Sequence, residues 1–533
     1  MSDTTDSDDH KRSLDHAIEI EEDSHMDKQQ PSLITSLSIL LLMFLIGLYT
    51  TMDSVIYIPI ANEFNALSKA EWIINGYLIT TTAFQPIYGK VSDIVGRVPA
   101  MVAAALLLMV GSIISAVAQS MTVLIASRAI QGIGSAGMYM IVNVLIADLY
   151  SERVRGQFMG LASGVWALSS SGAVVLGGVF VQLSSWRVAF WINIPICVIA
   201  CIVVLLSIKL PKPQGTLSSK IRRIDFGGSV ISLLAVVLVL LALSWGGRGY
   251  PWKSPVVICC LVFGVLISVL FVLYEGKVPN EPIVPLRLLR TRNVALAFVG
   301  NLFFGAITYA PLMFVPQWAL LVRNTTPITS GLYTLPFTIS ELVAVIITGV
   351  WVTKSGRYRE CVWLGSVTLL CGLTPLVVLD QDTGLGQLIG FLIIAGFGFG
   401  MCIQTLMLTA QAGSDGMDSA SATSVCLFMR ALGAILVVAV LSSVNGNTLH
   451  KEFAAASAQY PKYVDNIALV SENQSLIHSL ELPEELFDTL VNAFMKGMRA
   501  AFIALIPFSA LFVVTVIGIK HIPLQTVKKK TIR

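Results

Sequence analysis

Two acidic residues stand inside long apolar stretches of this chain: Asp53, in Thr50-Thr51-Met52-Asp53-Ser54, and Glu341, in Ser340-Glu341-Leu342-Val343. An ionisable group in hydrocarbon is costly unless it faces water or a partner, so such a residue points first to function. A carboxylate there can carry a proton or bind a cation. For Asp53 the plainer alternative is an acid hydrogen-bonded to its Thr and Ser neighbours. Glu341 is expected to bind the cationic part of a solute or to share a proton with Asp53. Its plainer alternative is a structural pair with an Arg or Asn. Two arginines also fall within spans. Arg128, in a glycine-rich stretch, could hold a nearby carboxylate ionised and so gate its proton. Arg430 is a polar candidate for lining a path, its plainer reading being a side chain that snorkels to the inner surface. Gln85, Gln131, Asn301 and Gln404 are further polar candidates for lining a path. The six histidines, His10, His16, His25, His450, His478 and His521, all fall in tails or the outer loop. Proton coupling must therefore rest on carboxylates.

The elements that position these residues are membrane spans. The chain has 533 residues, 55% hydrophobic and 13% charged, with mean hydropathy +0.77. Soluble domains carry roughly 25% charged residues, and one span needs about 20 apolar residues. Apolar stretches recur near 35–60, 72–90, 98–119, 122–147, 156–182, 189–209, 225–245, 255–275, 293–316, 329–352, 360–379, 387–411, 422–444 and 499–519. An even number of spans, fourteen here, puts both termini on one side. Lys and Arg in the connecting segments number roughly 24 on that side against about 9 on the other, which makes it the cytosolic side. Residues 1–32 read as a disordered cytosolic tail and 520–533 as another. The sequons at Asn324 and Asn473 fall in loops on the far side. The longest such loop, 445–498, is polar, with a helix-like segment around Leu482–Ala493.

The chain repeats itself. Gly89-Lys-Val-Ser-Asp93-Ile-Val-Gly96-Arg97 follows the second span, and Gly349-Val-Trp-Val-Thr353-Lys-Ser-Gly356-Arg357 follows the tenth. Glycines permit tight turns and close helix approach. Asp93 can pair with an arginine as a latch between spans. Two related halves around a midplane site are a common transporter construction. The halves are expected at 33–210 and 293–519, with 211–292 supplying linkers and two additional spans.

Other chemistry finds no support. The eight cysteines lie in or beside apolar stretches and read as packing residues rather than a redox or metal site. There is no phosphate-binding G-x-x-x-x-G-K-[ST] loop and no nucleophile motif, so neither ATP drive nor an enzyme is indicated. A net charge of +3 gives no basis for nucleic-acid binding.

The Gly89–Arg97 segment resembles the signature loop of the major facilitator superfamily. Trp72-Ile-Ile-Asn-Gly-Tyr77 with Phe84-Gln-Pro86, Arg128-Ala-Ile-Gln131-Gly132-Ile-Gly134, and Trp186-Arg187 with Asn193-Ile-Pro195 resemble its fungal fourteen-span drug:proton antiporter branch. The resemblance covers about residues 35–520. It implies an all-α fold of two six-helix bundles plus two linker helices, with no cofactor beyond the proton gradient. It also matches Asp53 to the family's first-span acid and Arg128 to its proton-coupling arginine. One departure stands out. The family's fifth-span motif carries Gly-Pro before Gly-Gly, whereas this chain reads Gly172-Ala-Val-Val-Leu-Gly177-Gly178; its glycines allow close packing, but the proline and its kink are missing. A narrower similarity, through Gly246–Trp252, Glu281–Pro285 and Gly356–Arg359, is to fungal vacuolar basic amino acid transporters. The expectation is a monomeric proton-coupled transporter carrying basic amino acids from cytosol into the vacuole. The alternative is a plasma-membrane multidrug:proton antiporter. A non-transporting nutrient sensor on the same fold fits less well, given the intact gate motif and both acids.

Overall fold

A computed structural model describes residues 32–66, 69–150, 152–208, 225–246, 250–278, 282–325, 327–381, 383–414, 418–472, 474–478, 480 and 482–524. Residues 1–31 and 525–533 of the predicted tails, and Asn473, lie outside these. The described chain is helical, apart from short connections and one isolated bridge between Gly246 and Tyr250.

The long helices in chain order are α1 (Leu33–Glu63), α2 (Glu71–Val95), α3 (Arg97–Ala116), α4 (Met121–Leu149), α5 (Glu152–Leu183), α6 (Arg187–Ser207), α7 (Phe226–Trp245), α8 (Pro255–Glu275), α9 (Arg292–Leu321), α10 (Leu335–Ser355), α11 (Arg359–Leu373), α12 (Leu385–Ala412), α13 (Ser419–Gln459) and α14 (Glu484–Ile517). Twelve helices among the described residues are long and apolar enough to cross a membrane. α2 and α5, both expected as spans, are long enough but more polar, and fall outside that set. Hydroxyls inside these helices bond back to their own backbone, as Thr50 does to the Ile46 carbonyl and Thr51 to that of Gly47. In hydrocarbon no water would satisfy them.

The pairings repeat. In the first half α1 packs on α5, α2 on α4, α3 on α4 and α6, and α1 on α6. In the second half α9 packs on α13, α10 on α12, α11 on α12 and α14, and α9 on α14. The bundles meet through two equivalent seams, α2 on α13 and α10 on α5. α7 rests on α2, with a smaller contact to α13, and α8 pairs mainly with α7. The hairpin tip between α7 and α8 is fastened by Trp252, whose Nε1 donates to Ser443 Oγ on α13 (2.8 Å), and by the edge contact of Trp72 with Trp245. At the far end of α1, Glu63 accepts from Trp186 Nε1 (2.6 Å) and from Arg187 (2.7 Å). The bond from Arg187 holds the Glu63 carboxyl below its ordinary range.

Both seams are closed on the side of the repeated motif. On α2, a Cβ at Gly89 would lie 2.6 Å from Ser424 Oγ of α13. On α10, a Cβ at Gly349 would lie 2.8 Å from Gln157 Cα of α5. Further along α5, Gly160 meets Val345 and Gly164 meets Leu342. Beyond that the seam ends, because a Cβ at Gly172 or Gly178 would meet nothing within 4 Å. Gly172 and Gly178 thus face open space in this conformation, while Gly177 is buried. Polar bonds tie the closed end: Arg155 donates to Gln411 Oε1 (3.0 Å), and Gln404 Nε2 to the Met159 carbonyl (3.0 Å) and to Ser163. The first-half core also continues across this end into Met407, Ala420 and Leu427. The bundles thus form a V, shut on the side of the repeated motif.

The expected outer loop 445–498 is mostly helix. α13 runs on to Gln459, a short helix spans Val464–Glu472, and α14 begins at Glu484, well before the span expected at 499. Lys496 pairs with Glu452 between the two extensions (2.8 Å).

Candidate functional site

The repeated motif has a geometric basis. Gly96 has φ 112° and ψ 149°, and Gly356 has φ 70°. Both end a helix in backbone that disfavours a side chain. The first glycine of each copy sits where the bundles touch, and the second turns the chain into the next helix. The charges differ. Arg97 pairs with Asp93, donates from Nε to Asp148 Oδ2 of α4 (2.9 Å), and bonds Ser92 (2.8 Å). The second copy has Thr353 in place of the acid, and its hydroxyl bonds back to the Gly349 carbonyl (2.7 Å). Arg357 is exposed and forms no ion pair among the described residues. The latch is therefore built only in the first copy.

Asp53 and Arg128 are brought together. Arg128 is fully buried on α4 and forms an ion pair with Asp53 of α1, which is 5% exposed. The guanidinium also donates to Tyr49 Oη and Gln131 Oε1, both at 2.5 Å, and to the Ile73 carbonyl (3.1 Å). It lies 4.5 Å from the Tyr77 ring centroid and 5.3 Å from that of Tyr49, so two aromatic faces add cation–π attraction. Gln131 Nε2 continues to Ser112 (3.2 Å), and Tyr77 Oη bonds Ser135 (2.6 Å). Asp53 is thus held by an arginine three helices away in sequence rather than by neighbouring hydroxyls. Its desolvated charge is balanced inside the first bundle.

The second-half acid is placed differently. Glu341 lies on α10, one residue from the Gly164–Leu342 contact, and its backbone carbonyl abuts Gly400 of α12. Arg430 of α13 is the charge that acts on it, but no ion pair or hydrogen bond of Glu341 exists among the described residues. Arg430 instead donates to Asn301 Oδ1 (3.2 and 2.9 Å) and to the Ile403 carbonyl (3.1 Å), and lies over Phe304. The plainer reading of Arg430 as a snorkelling side chain is corrected: acceptors on α9 and α12 draw the guanidinium into the bundle. Asp53 is paired with Arg128, while the charge acting on Glu341 is that of Arg430.

Of the polar candidates, Gln131 belongs to the Arg128 network and Asn301 to Arg430. Gln85 and Gln404 are buried, each with its Oε1 unbonded. Asn324 is exposed in a loop, at φ 50°. Sequence reasoning passed over Tyr49, one turn before Asp53, where i,i+4 spacing was an available signal. It also passed over Asp148 and Tyr139, for which only the fold supplies the reason. No metal-ligand cluster occurs among the described residues.

Comparison with known proteins places this arrangement. A family model described as Major Facilitator Superfamily matches residues 39–438. The efflux pump dotC of Dothistroma septosporum is 33% identical over 438 residues, spanning 81% of this chain and 75% of the pump. An MFS-type transporter of an acurin A biosynthesis cluster in Aspergillus aculeatus is 36% identical, over 70% of this chain and 68% of the relative. The MFS-type transporter ppz2 of Metarhizium majus is 32% identical, over 88% and 81%. Among solved structures, the human organic anion transporter MFSD10 superposes with TM-score 0.58 at 16% identity, covering 92% of this chain and all of that one. The proton:xylose symporter XylE gives 0.55 at 14%, covering 90% and 95%. At these identities the structures speak for the fold alone.

Proposed function

The chain belongs to the Major Facilitator Superfamily and is a multi-pass membrane transporter of small molecules rather than an enzyme; on that premise we propose that it is a proton-coupled exporter of small organic molecules. The observation that carries the coupling is the Asp53–Arg128 pair, desolvated within the first bundle and ringed by Tyr49 and Tyr77. A carboxylate balanced by one arginine changes the local charge by a full unit when it takes a proton. In a water-poor site that change is felt strongly by neighbouring groups. The exchange then follows from the V. Protonation of Asp53 loosens its hold on Arg128, α1 and α4 shift against each other, and the seams open on one side as they close on the other.

Export is favoured over delivery of basic amino acids to the vacuole. The relatives described above are named efflux pumps or MFS-type transporters, and nothing in those names points to basic amino acids or a vacuole. We place the protein in the plasma membrane as a monomer, with the motif side and both termini cytosolic. α2 and α5 are counted as spans, since each packs along spans of its own bundle. In that topology Asn324 is open to glycosylation.

The test is the purified full chain in proteoliposomes, with an imposed pH gradient driving uptake of a fluorescent organic solute. Asp53→Asn is expected to abolish gradient-driven accumulation. Accumulation at the wild-type level in that variant would sink the reading.

A further inference from the structure

The chain beyond α14 does not leave the bundle at once. Residues 520–533 read as a disordered tail, yet 518–524 lie packed on the motif side of the second half. The segment has no regular structure, so its backbone groups depend on side chains for partners. Asn293, in the first turn of α9 and 4% exposed, supplies two bonds to one residue. Its Nδ2 donates to the Lys520 carbonyl (2.6 Å), and its Oδ1 accepts from the Lys520 amide (3.0 Å). A carboxamide used in this way fixes both the position and the direction of the chain it holds. Tyr358, fully buried in the turn of the second motif copy, accepts from the Ile522 amide through its hydroxyl (3.2 Å), and its ring centroid lies 5.6 Å from that of His521. Leu524 is buried in a small apolar cluster with Val352 of α10, Cys361 of α11 and Leu408 of α12.

That cluster adjoins the place where the bundles meet. Val352 is one turn along α10 from Gly349, whose missing side chain lets the Gln157 backbone of α5 approach. Leu408 meets α5 directly, because a Cβ at Gly156 would lie 2.9 Å from its Cδ1. The end of the chain therefore shares one buried cluster with residues of both helices that face α5. Interiors are close-packed, so removing Leu524 would leave a void beside them.

We propose that residues 518–524 are a C-terminal strap that positions α10 and α12 for closure on the motif side. Docked, the strap joins the feet of α9, α11 and α14 to the two helices that meet α5, so the second bundle closes as one body. Undocked, Val352 and Leu408 lose the side chain that fills the space beside them, and the closed seam loses its backing. Asn293, Tyr358 and Leu524 are positioning residues, acting on transport through the seam. The inference takes from the exporter reading only that the V alternates between its two sides.

The test uses the full chain in lipid nanodiscs, without solute or pH gradient, and spin-label pairs across the motif-side ends of α5 and α10. The wild type is expected to populate the short distance of the closed seam. Leu524→Ala and Asn293→Ala are each expected to raise the ratio of open to closed populations about fivefold or more, the lower end of typical coupling between separate parts of a protein. Leu524→Met refills the cluster and is expected to restore the wild-type ratio. Thermal unfolding checks that each variant folds, and the two alanine variants act at different elements, so either one can decide. Wild-type populations in a folded alanine variant, a wild type without the closed distance, or a Leu524→Met shift as large as that of Leu524→Ala would each overturn the proposal. Failure of both alanine variants to fold also overturns it, because the segment would then be part of the core rather than a strap. None of these outcomes touches the exporter reading, whereas gradient-driven accumulation by Asp53→Asn would sink that reading and leave the strap standing.

Discussion

The two bundles are built on the same pairing of helices, yet they treat their buried charges in opposite ways. In the first, Asp53 and Arg128 are matched, and the guanidinium is further bonded to Tyr49, Gln131 and the Ile73 carbonyl. In the second, Arg430 donates to the neutral acceptors Asn301 Oδ1 and the Ile403 carbonyl, and Glu341 forms no ion pair or hydrogen bond among the described residues. The repeated motif differs in the same direction. Arg97 is latched to Asp93 and Asp148, while Arg357 is exposed beside a threonine. Pseudo-symmetry therefore governs the backbone but not the electrostatics. Helix packing needs the same small residues in both halves, whereas coupling a proton to a solute needs two sites that respond to different ligands.

The largest effect should come from breaking the matched pair. Asp53→Asn leaves the Arg128 charge buried and uncompensated, which typically costs about 3–5 kcal/mol. Purified protein should unfold at a clearly lower temperature, whereas Glu341→Gln should leave the unfolding temperature near that of the wild type. Equal losses in the two variants would erase the contrast between the bundles.

The turn glycines come next. Gly96 at φ 112°, ψ 149° lies in a region essentially reserved for glycine, while Gly356 at φ 70°, ψ 2° lies near the left-handed well that Asn tolerates. Gly96→Asn should cost about 1–3 kcal/mol and Gly356→Asn much less, measured by thermal unfolding or folded yield. The reverse ranking would contradict the assigned turns.

Closure of the V is the third point of attack. An added methyl at Gly89 presses on Ser424, and one at Gly349 presses on the Gln157 backbone. Overpacking of this kind costs about 1–3 kcal/mol. Each alanine variant should shift the population away from the motif-side-closed state by about five- to 150-fold, since about 1.4 kcal/mol is tenfold. Distances between spin labels on α2 and α13 would read the shift. Because Ser424 Cβ and Gln157 Cα, each 2.8 Å from the added methyl, are both fixed to backbone, the two variants should act about equally.

The smallest difference concerns the exposed arginine. Arg357→Ala should change stability by no more than about 0.5 kcal/mol, as expected for a surface site. Arg97→Ala removes two ion pairs that share one guanidinium and should slow exchange measurably in proteoliposomes.

Much of this was legible in the chain. Apolar length and the placement of Lys and Arg announce a multi-pass helical protein. The spacing Gly89…Gly96-Arg97 and its echo Gly349…Gly356-Arg357 announce two related halves. Asp53, Glu341 and Arg128 stand out because charge in hydrocarbon is rare. The partners were not legible. Arg128 is 75 residues from Asp53, and only the packing of α1 on α4 shows that they meet. The snorkelling reading of Arg430 failed because snorkelling depends on where a helix faces, and α13 turns that residue toward Asn301 and Ile403. The segment 445–498 was taken for a loop because polarity marks the end of a span, not the end of a helix. α13 simply continues into water to Gln459.

By itself, then, the sequence determined the class of molecule, the number of related halves and the short roster of charged residues that hydrocarbon cannot tolerate idly. These follow from local quantities, namely hydropathy, spacing and backbone freedom at glycine. The tertiary structure alone decided which charges are balanced and which acceptors go unmet, and on which side the bundles close. Those depend on which helix faces which, a property of the packed whole that no window of the chain contains.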